Sequence, residues 1–201
     1  LPATLPQQAA ELQGLIEDSR PVWIAASTRT HAGVDEELQV LAAFKQCLRT
    51  VPDLLLVLVP RHPERFAVAE KHCLSNGLTV VRRSSGQSVG ALTNVLLGDS
   101  MGEMLAYYSI SDVAFVGGSL VDTGCQNVLE PAALGLPVLA GPSRFNFQTV
   151  SEQLEEAGAL RMVRDERELA EAIVQILQDE ALRQSMGAAG RQAIAENRGA
   201  L

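Results

Sequence analysis

Apolar residues in this chain fall into short, nearly continuous runs, separated by segments where they return every three or four positions. The runs are 22–26 (VWIAA), 54–59 (LLLVLV), 78–81 (LTVV), 95–97 (VLL), 113–116 (VAFV) and 137–140 (PVLA). An aliphatic run without polar alternation suits a parallel strand covered on both faces. Helical periodicity fills the intervals. Leu41, Phe44 and Leu48 mark one inner face after Asp35, Glu36 and Glu37, acids placed where a helix dipole favours negative charge. Pro63 and Gly77 bound a helix over 63–76, and another runs from Glu103 to about Ser109. The segment 128–134 predicts a short helix ended by Gly135. Because Pro131 lacks an N–H, that helix starts only a few residues earlier, which puts Asn127 and Glu130 at its mouth. Two helices close the chain. One carries Leu169, Ala172, Ile173, Ile176 and Leu177 behind a capping box at Asp165 and Glu168. The other, over about 180–195, aligns Leu182, Met186, Ala189 and Ala193.

Strand and helix alternate about six times, which predicts an α/β fold: a Rossmann-like, doubly wound parallel sheet of about six strands in one domain over 21–201. Residues 1–20 are polar with two prolines and read as an interdomain linker or lead-in helix, with one or two helical turns over 9–16. The serine- and glycine-rich stretch 82–91 is expected to be a mobile loop.

Composition narrows the function. Hydrophobic residues make up 47% of the chain, enough for a buried core, but aromatics only 4%, too few for a base-stacking platform. The net charge of −8 argues against a nucleic-acid partner, which would need a basic face. Any anion must be gripped locally. Cys47, Cys73 and Cys125 lie far apart with no C-x-x-C pair, as expected of reduced cytoplasmic thiols without a structural zinc. No apolar run approaches a membrane span, residues 1–10 lack signal-peptide character, and the initial leucine suggests a fragment.

Four loops follow strand ends and should open along one sheet edge: 27–34, 60–62, 98–103 and 117–127. No G-x-G-x-x-G follows the first strand and no G-x-x-x-x-G-K-[ST] occurs, so the ligand is expected to be something other than NAD or ATP. Arg61 either pairs with phosphate or carboxylate, or is a surface residue paired with Glu64. Glu103, three residues after Ser100, is a capping-box partner or a ligand contact. Asn127 and Glu130 permit reciprocal capping, and a carboxylate there can also accept from a ribose hydroxyl. Gly117, Gly118 and Ser119 form either a simple tight turn or a place where a ligand approaches the backbone. His31 and His62 are loop acids or bases, or merely exposed; His72 is expected on the surface and Trp23 in the core.

Taken together, PVWIAAST at 21–28, VPRHPERF at 59–66, GDSMGE at 98–103, AFVGGSL at 114–120, Asn127-x-x-Glu130 and Gly141-Pro142 resemble the carboxyl-terminal half of bacterial 3-deoxy-D-manno-octulosonic acid (Kdo) transferases. The resemblance covers nearly the whole chain. It implies one half of a two-domain GT-B glycosyltransferase, the half that binds the donor CMP-Kdo, with no metal or other cofactor. By that likeness CMP is held at Pro60 and Arg61, at Met101, Gly102 and Glu103, and at Asn127, Val128, Leu129 and Glu130. Arg61 and the helix-start amides near Met101 and Asn127 would meet phosphate, and Glu130 the ribose. Ser27, His31, Gly117, Gly118, Ser119 and Gln126 would reach the donor sugar or phosphate. The catalytic base, the lipid A precursor site and the contact with the cytoplasmic face of the bacterial inner membrane are implied to lie in the amino-terminal half. This chain alone should therefore bind nucleotide and transfer nothing.

Two departures stand out. The family pattern Gly-Gly-His-Asn is replaced by Gly124-Cys125-Gln126-Asn127, and the 28–33 loop is longer than the family's Ser-Thr-His-x-Gly, which favours Ser27 over His31 as a counterpart. Two other readings remain: a GT-B transferase or epimerase using a UDP- or GDP-sugar, and a non-catalytic nucleotide-sensing domain.

Overall fold

In the computed structural model, which describes residues 1–199, the aliphatic runs form six of the strands of a seven-stranded sheet. The chain begins with α1 (Leu5–Leu15), enters β1 (Val22–Thr28), makes a small hairpin of β2 (Thr30–His31) and β3 (Val34–Asp35), and continues through α2 (Glu36–Leu48) to β4 (Leu55–Pro60). Next come α3 (Phe66–Ser75), β5 (Val80–Arg82), β6 (Val95–Leu97), α4 (Met104–Ser109) and β7 (Val113–Val116). The remainder is α5 (Leu129–Ala133), β8 (Val138–Ala140), α6 (Gln148–Glu156), β9 (Leu160–Met162), α7 (Glu166–Gln178) and α8 (Glu180–Gly199).

Every pairing in the large sheet is parallel, in the order β5-β6-β4-β1-β7-β8-β9. The chain leaves β1 toward β4 and leaves β7 toward β8, in opposite directions, so a crevice opens beyond the carboxyl ends of these two neighbours. Side chains alternate between two layers. Trp23, Ala25, Leu56, Leu58 and Phe115 pack with α2, α3 and α7; Ile24, Ala26, Leu55, Val57 and Ala114 pack with α1 and α4. A third cluster joins Val116, Val138 and Ala140 to α5, α6 and α8. Asp165 caps α7 by accepting from the Glu168 amide at 2.9 Å, as its capping-box spacing predicts.

Four features differ from the pattern reading. A seventh strand, β9, was not expected, because its core is Leu-Arg-Met; as an edge strand it leaves Arg161 free to reach outward. Helix α6 is largely polar and buries only Ser151 and Leu154. Helix α1 starts at Leu5 rather than Ala9 and inserts Leu5 and Leu12 into the core beside α4. The stretch 82–91 is pinned: Val89 is fully buried, and its amide donates to Leu15 O at 2.7 Å. All three cysteines are buried, and burial pushes the Cys47 and Cys73 thiols up to about 12.

Candidate functional site

The carboxyl end of β1 is irregular. Its register with β4 shifts between Ala26 and Thr28, and Ser27 within that bulge takes φ of +58°, a conformation that costs a non-glycine residue energy and tends to persist at functional sites. The strained residue presents a buried side chain to the crevice. Thr28 O accepts from the Arg61 amide at 2.9 Å, tying the ends of β1 and β4 together.

The loop after β7 is held by one of the acids assigned above to the helix dipole alone. Glu36, fully buried at the start of α2, accepts from the backbone amides of Gly118 (2.8 Å), Leu120 (3.0 Å), Arg29 (3.1 Å) and Ser119 (3.2 Å). Burial pushes its carboxyl up, while these donors work in the opposite direction. The Gly117 amide donates to Ala26 O at 2.7 Å. Gly117, Gly118 and Ser119 thus spend their N–H groups inside the protein, leaving no backbone amide there for a donor-sugar or phosphate contact. A Cβ at Gly117 would lie 2.5 Å from Ser27 O, so its lack of a side chain serves strand-to-loop packing.

Above these loops lies a cleft of about 340 Å³, within the usual range for small-molecule sites. One wall is apolar, from Val59, Pro60, Phe66, Met101, Met104 and Tyr107. Its charged lining residues, among those described, are Arg61 and Glu130. The Tyr107 phenol bonds to the Ser100 hydroxyl, and burial pushes it up to about 12, so it is neutral. Its ring and Val59 would both lie within 3 Å of a Cβ at Gly98, which keeps that position bare. The half-buried Glu130 carboxyl is raised by burial, an effect the Asn127 side chain opposes. Asn127 Oδ1 also accepts from the Leu129 amide at 2.9 Å, capping the turn into α5.

Arg61 does not pair with Glu64. It is exposed, and its Nε donates to Gln126 Oε1 at 3.1 Å.

The family model described as glycosyl transferases group 1 matches residues 13–193. A crystal structure, that of the C-terminal CMP-Kdo binding domain of WaaA from Acinetobacter baumannii, is 36% identical with a TM-score of 0.86, over 96% of this chain and 98% of that one. The chain belongs to the group 1 glycosyl transferases. Its sheet and helices are those of one half of a GT-B enzyme. Among its relatives in that family is the 3-deoxy-D-manno-octulosonic acid transferase of Haemophilus influenzae, 44% identical over 94% of this chain and 44% of the relative. The Bordetella pertussis transferase of the same name is 40% identical over 90% and 42%. The chain thus spans less than half the length of these curated relatives.

Within this group 1 domain, Ser27, Pro60, Arg61, Met101, Gly102, Gln126, Asn127 and Glu130 come together around this cleft. Others do not line it. Glu103 turns to Arg83, with Nη2 to Oε2 at 3.2 Å, and neither caps α4 nor faces the cleft. Val128 is fully buried in the third cluster, and Leu129 packs against it. His31 is exposed on the hairpin, and His62 lies 3.4 Å from Arg29 Nη2. His72 is not a simple surface residue: its Nε2 bonds Asp35 Oδ2 at 2.8 Å. Cys125 points into the core, with Sγ 3.8 Å from Ser151 Oγ, so of the two departures in the 124–127 sequence only Gln126 reaches the cleft.

Sequence reasoning missed Glu36 and Tyr107 as parts of this site. Among the described residues no group of three or more His, Cys, Asp and Glu side chains is placed to hold a metal, and no helix is long and apolar enough to cross a membrane.

Proposed function

We propose that this chain is the donor-binding domain of an enzyme that transfers 3-deoxy-D-manno-octulosonic acid from CMP-Kdo to a lipid A precursor in lipopolysaccharide biosynthesis. What carries the reading is the 36% identity, over nearly the full length of both chains, with a CMP-Kdo binding domain. The cleft suits such a donor. Arg61 is a permanent cation at its rim for the phosphate, and Glu130 is a carboxylate across from it for the ribose hydroxyls. The apolar wall, with exposed Met101 and buried Tyr107 among its residues, offers a pyrimidine an apolar surface. The Ser27 hydroxyl reaches the same space from the β1 bulge. No metal is needed in this scheme, since Arg61 meets the phosphate charge.

Transfer would be direct displacement at the anomeric carbon, with CMP as the leaving group. The base that deprotonates the acceptor hydroxyl, the lipid site and the contact with the inner membrane's cytoplasmic face belong to the remainder of such an enzyme, in keeping with the 44% share of the Haemophilus relative that this chain spans. The domain by itself therefore binds nucleotide and has no transferase activity. Calorimetry with CMP, UDP and GDP tests the assignment. Preference for CMP is expected; preference for UDP or GDP would overturn it in favour of another nucleotide-sugar enzyme.

A further inference from the structure

Arg61 is the cationic side chain of the cleft lining, and among the described residues it makes no ion pair with a carboxylate. Its partner is the neutral amide of Gln126. The edge used in that contact decides what is left over. A guanidinium has a side-on fork, which includes Nε, and an end-on fork made of its two terminal nitrogens. With Nε given to Gln126, the end-on fork remains for two oxygens of one phosphate, the bidentate pairing that arginine makes best.

Gln126 is itself well anchored. Its amide N–H donates to Gly117 O at 3.0 Å, at the end of β7. Cys125 before it is locked in the core, and Asn127 after it caps the turn into α5. The Gln126 side chain thus projects from an anchored backbone and places an acceptor against an exposed arginine. A carboxylate in its place would orient Arg61 too, but would also cancel the charge that an anion needs.

We propose that Gln126 is a positioning residue: it presets Arg61 with the end-on fork facing the cleft, for the phosphate of the nucleotide ligand. This inference rests on the nucleotide reading above and adds a role for a residue that does not itself have to touch the ligand.

The test is calorimetry on this domain with two ligands, CMP and cytidine, which differ by the phosphate alone. Wild type should bind CMP more tightly than cytidine. Gln126→Ala should weaken CMP about 3- to 10-fold, the range of one hydrogen bond, and leave cytidine unchanged. Gln126→Glu should weaken CMP further, at least about 10-fold, again without changing cytidine, because its carboxylate neutralises Arg61. In an Arg61→Ala background, Gln126→Ala should have no added effect. Unchanged CMP affinity in Gln126→Ala, equal losses for both ligands, or additive effects of the two substitutions would each overturn the positioning role while leaving nucleotide binding intact. Failure of the wild-type domain to bind CMP would overturn the nucleotide reading and this inference with it. Unfolding curves that superpose on wild type confirm that the substitution has not altered the fold.

Discussion

The Glu36 carboxylate lies 2.8 Å from the amide nitrogen of Gly118, across 82 residues of sequence. Through this contact the first turn of α2 organises the loop after β7, and with it one wall of the cleft. Removing the acceptor in Glu36→Ala takes this partner from the buried amides of Gly118 and Ser119 and from the partly buried amides of Leu120 and Arg29. At about 1–3 kcal/mol for each unsatisfied buried donor, partly relieved by water, a loss of about 3 kcal/mol is expected. Glu36→Gln keeps an acceptor oxygen and should lose less. Urea unfolding followed by fluorescence of the sole tryptophan, the fully buried Trp23, measures both.

Gly98 sits where a methyl group would meet Val59 at 2.8 Å and the Tyr107 ring at 2.9 Å. Gly98→Ala must displace Val59 or the Tyr107 ring, both of which line the cleft. The expected result is a stability loss of about 1–3 kcal/mol together with weaker nucleotide binding. Gly33→Ala, where nothing lies within 4 Å, should leave nucleotide binding unchanged.

At the cleft itself, Arg61→Ala should weaken CMP binding by at least about 10-fold, the value of a charge-assisted hydrogen bond, without changing stability, since the side chain is exposed. Glu130→Ala should erase discrimination between CMP and its 2′-deoxy analogue, and Glu130→Gln, which keeps a neutral acceptor oxygen, should only reduce it. Because burial raises the Glu130 carboxyl, protonation as pH falls removes the acceptor early. The CMP phosphate also protonates, at about pH 6, so the Glu130 contribution is read as the extra decline of wild type over Glu130→Gln, setting in above the ordinary glutamate value of about 4.3. Calorimetry over a pH series reads both effects.

Asp35 couples the hairpin to α3. Burial works against its charge, but the Thr30 hydroxyl, His72 and Arg65 outweigh that and hold the carboxyl below its usual value. A carboxyl depressed in the folded state stabilises fully above the unfolded pKa of about 3.9, and the contribution is lost as pH falls through the lower folded value. Asp35→Asn should flatten the acid limb of the stability curve, below about pH 4, relative to wild type.

Much of the sheet was legible in the sequence because buried parallel strands must be apolar on both faces, so β1, β4, β6 and β7 announce themselves. The edge strand β9 does not, because one of its sides is open and Arg161 interrupts the run. Convergence of the 27–34, 60–62, 98–103 and 117–127 loops was also legible, since parallel strands put their carboxyl ends on one edge. Glu36 was not. A first-turn acid is explained well enough by the helix dipole, and only a contact 82 residues away reveals its work. Glu103 misled in the opposite sense: its neighbours in sequence suit a ligand contact or a cap, yet Arg83, 20 residues upstream, claims it. Nothing in the sequence around Tyr107 singles it out, and its ring comes to line the cleft where Gly98 leaves room for it.

The burial of all three native thiols has a practical consequence. Thiolates are the reactive form, and burial pushes Cys47 and Cys73 up to about 12 and Cys125 upward as well, so at neutral pH a maleimide should find almost nothing to attack. Met101, by contrast, is 72% exposed at the rim of the cleft. A single cysteine introduced there would be labelled selectively on the otherwise native background. A dye at that rim would turn ligand occupancy into a fluorescence signal.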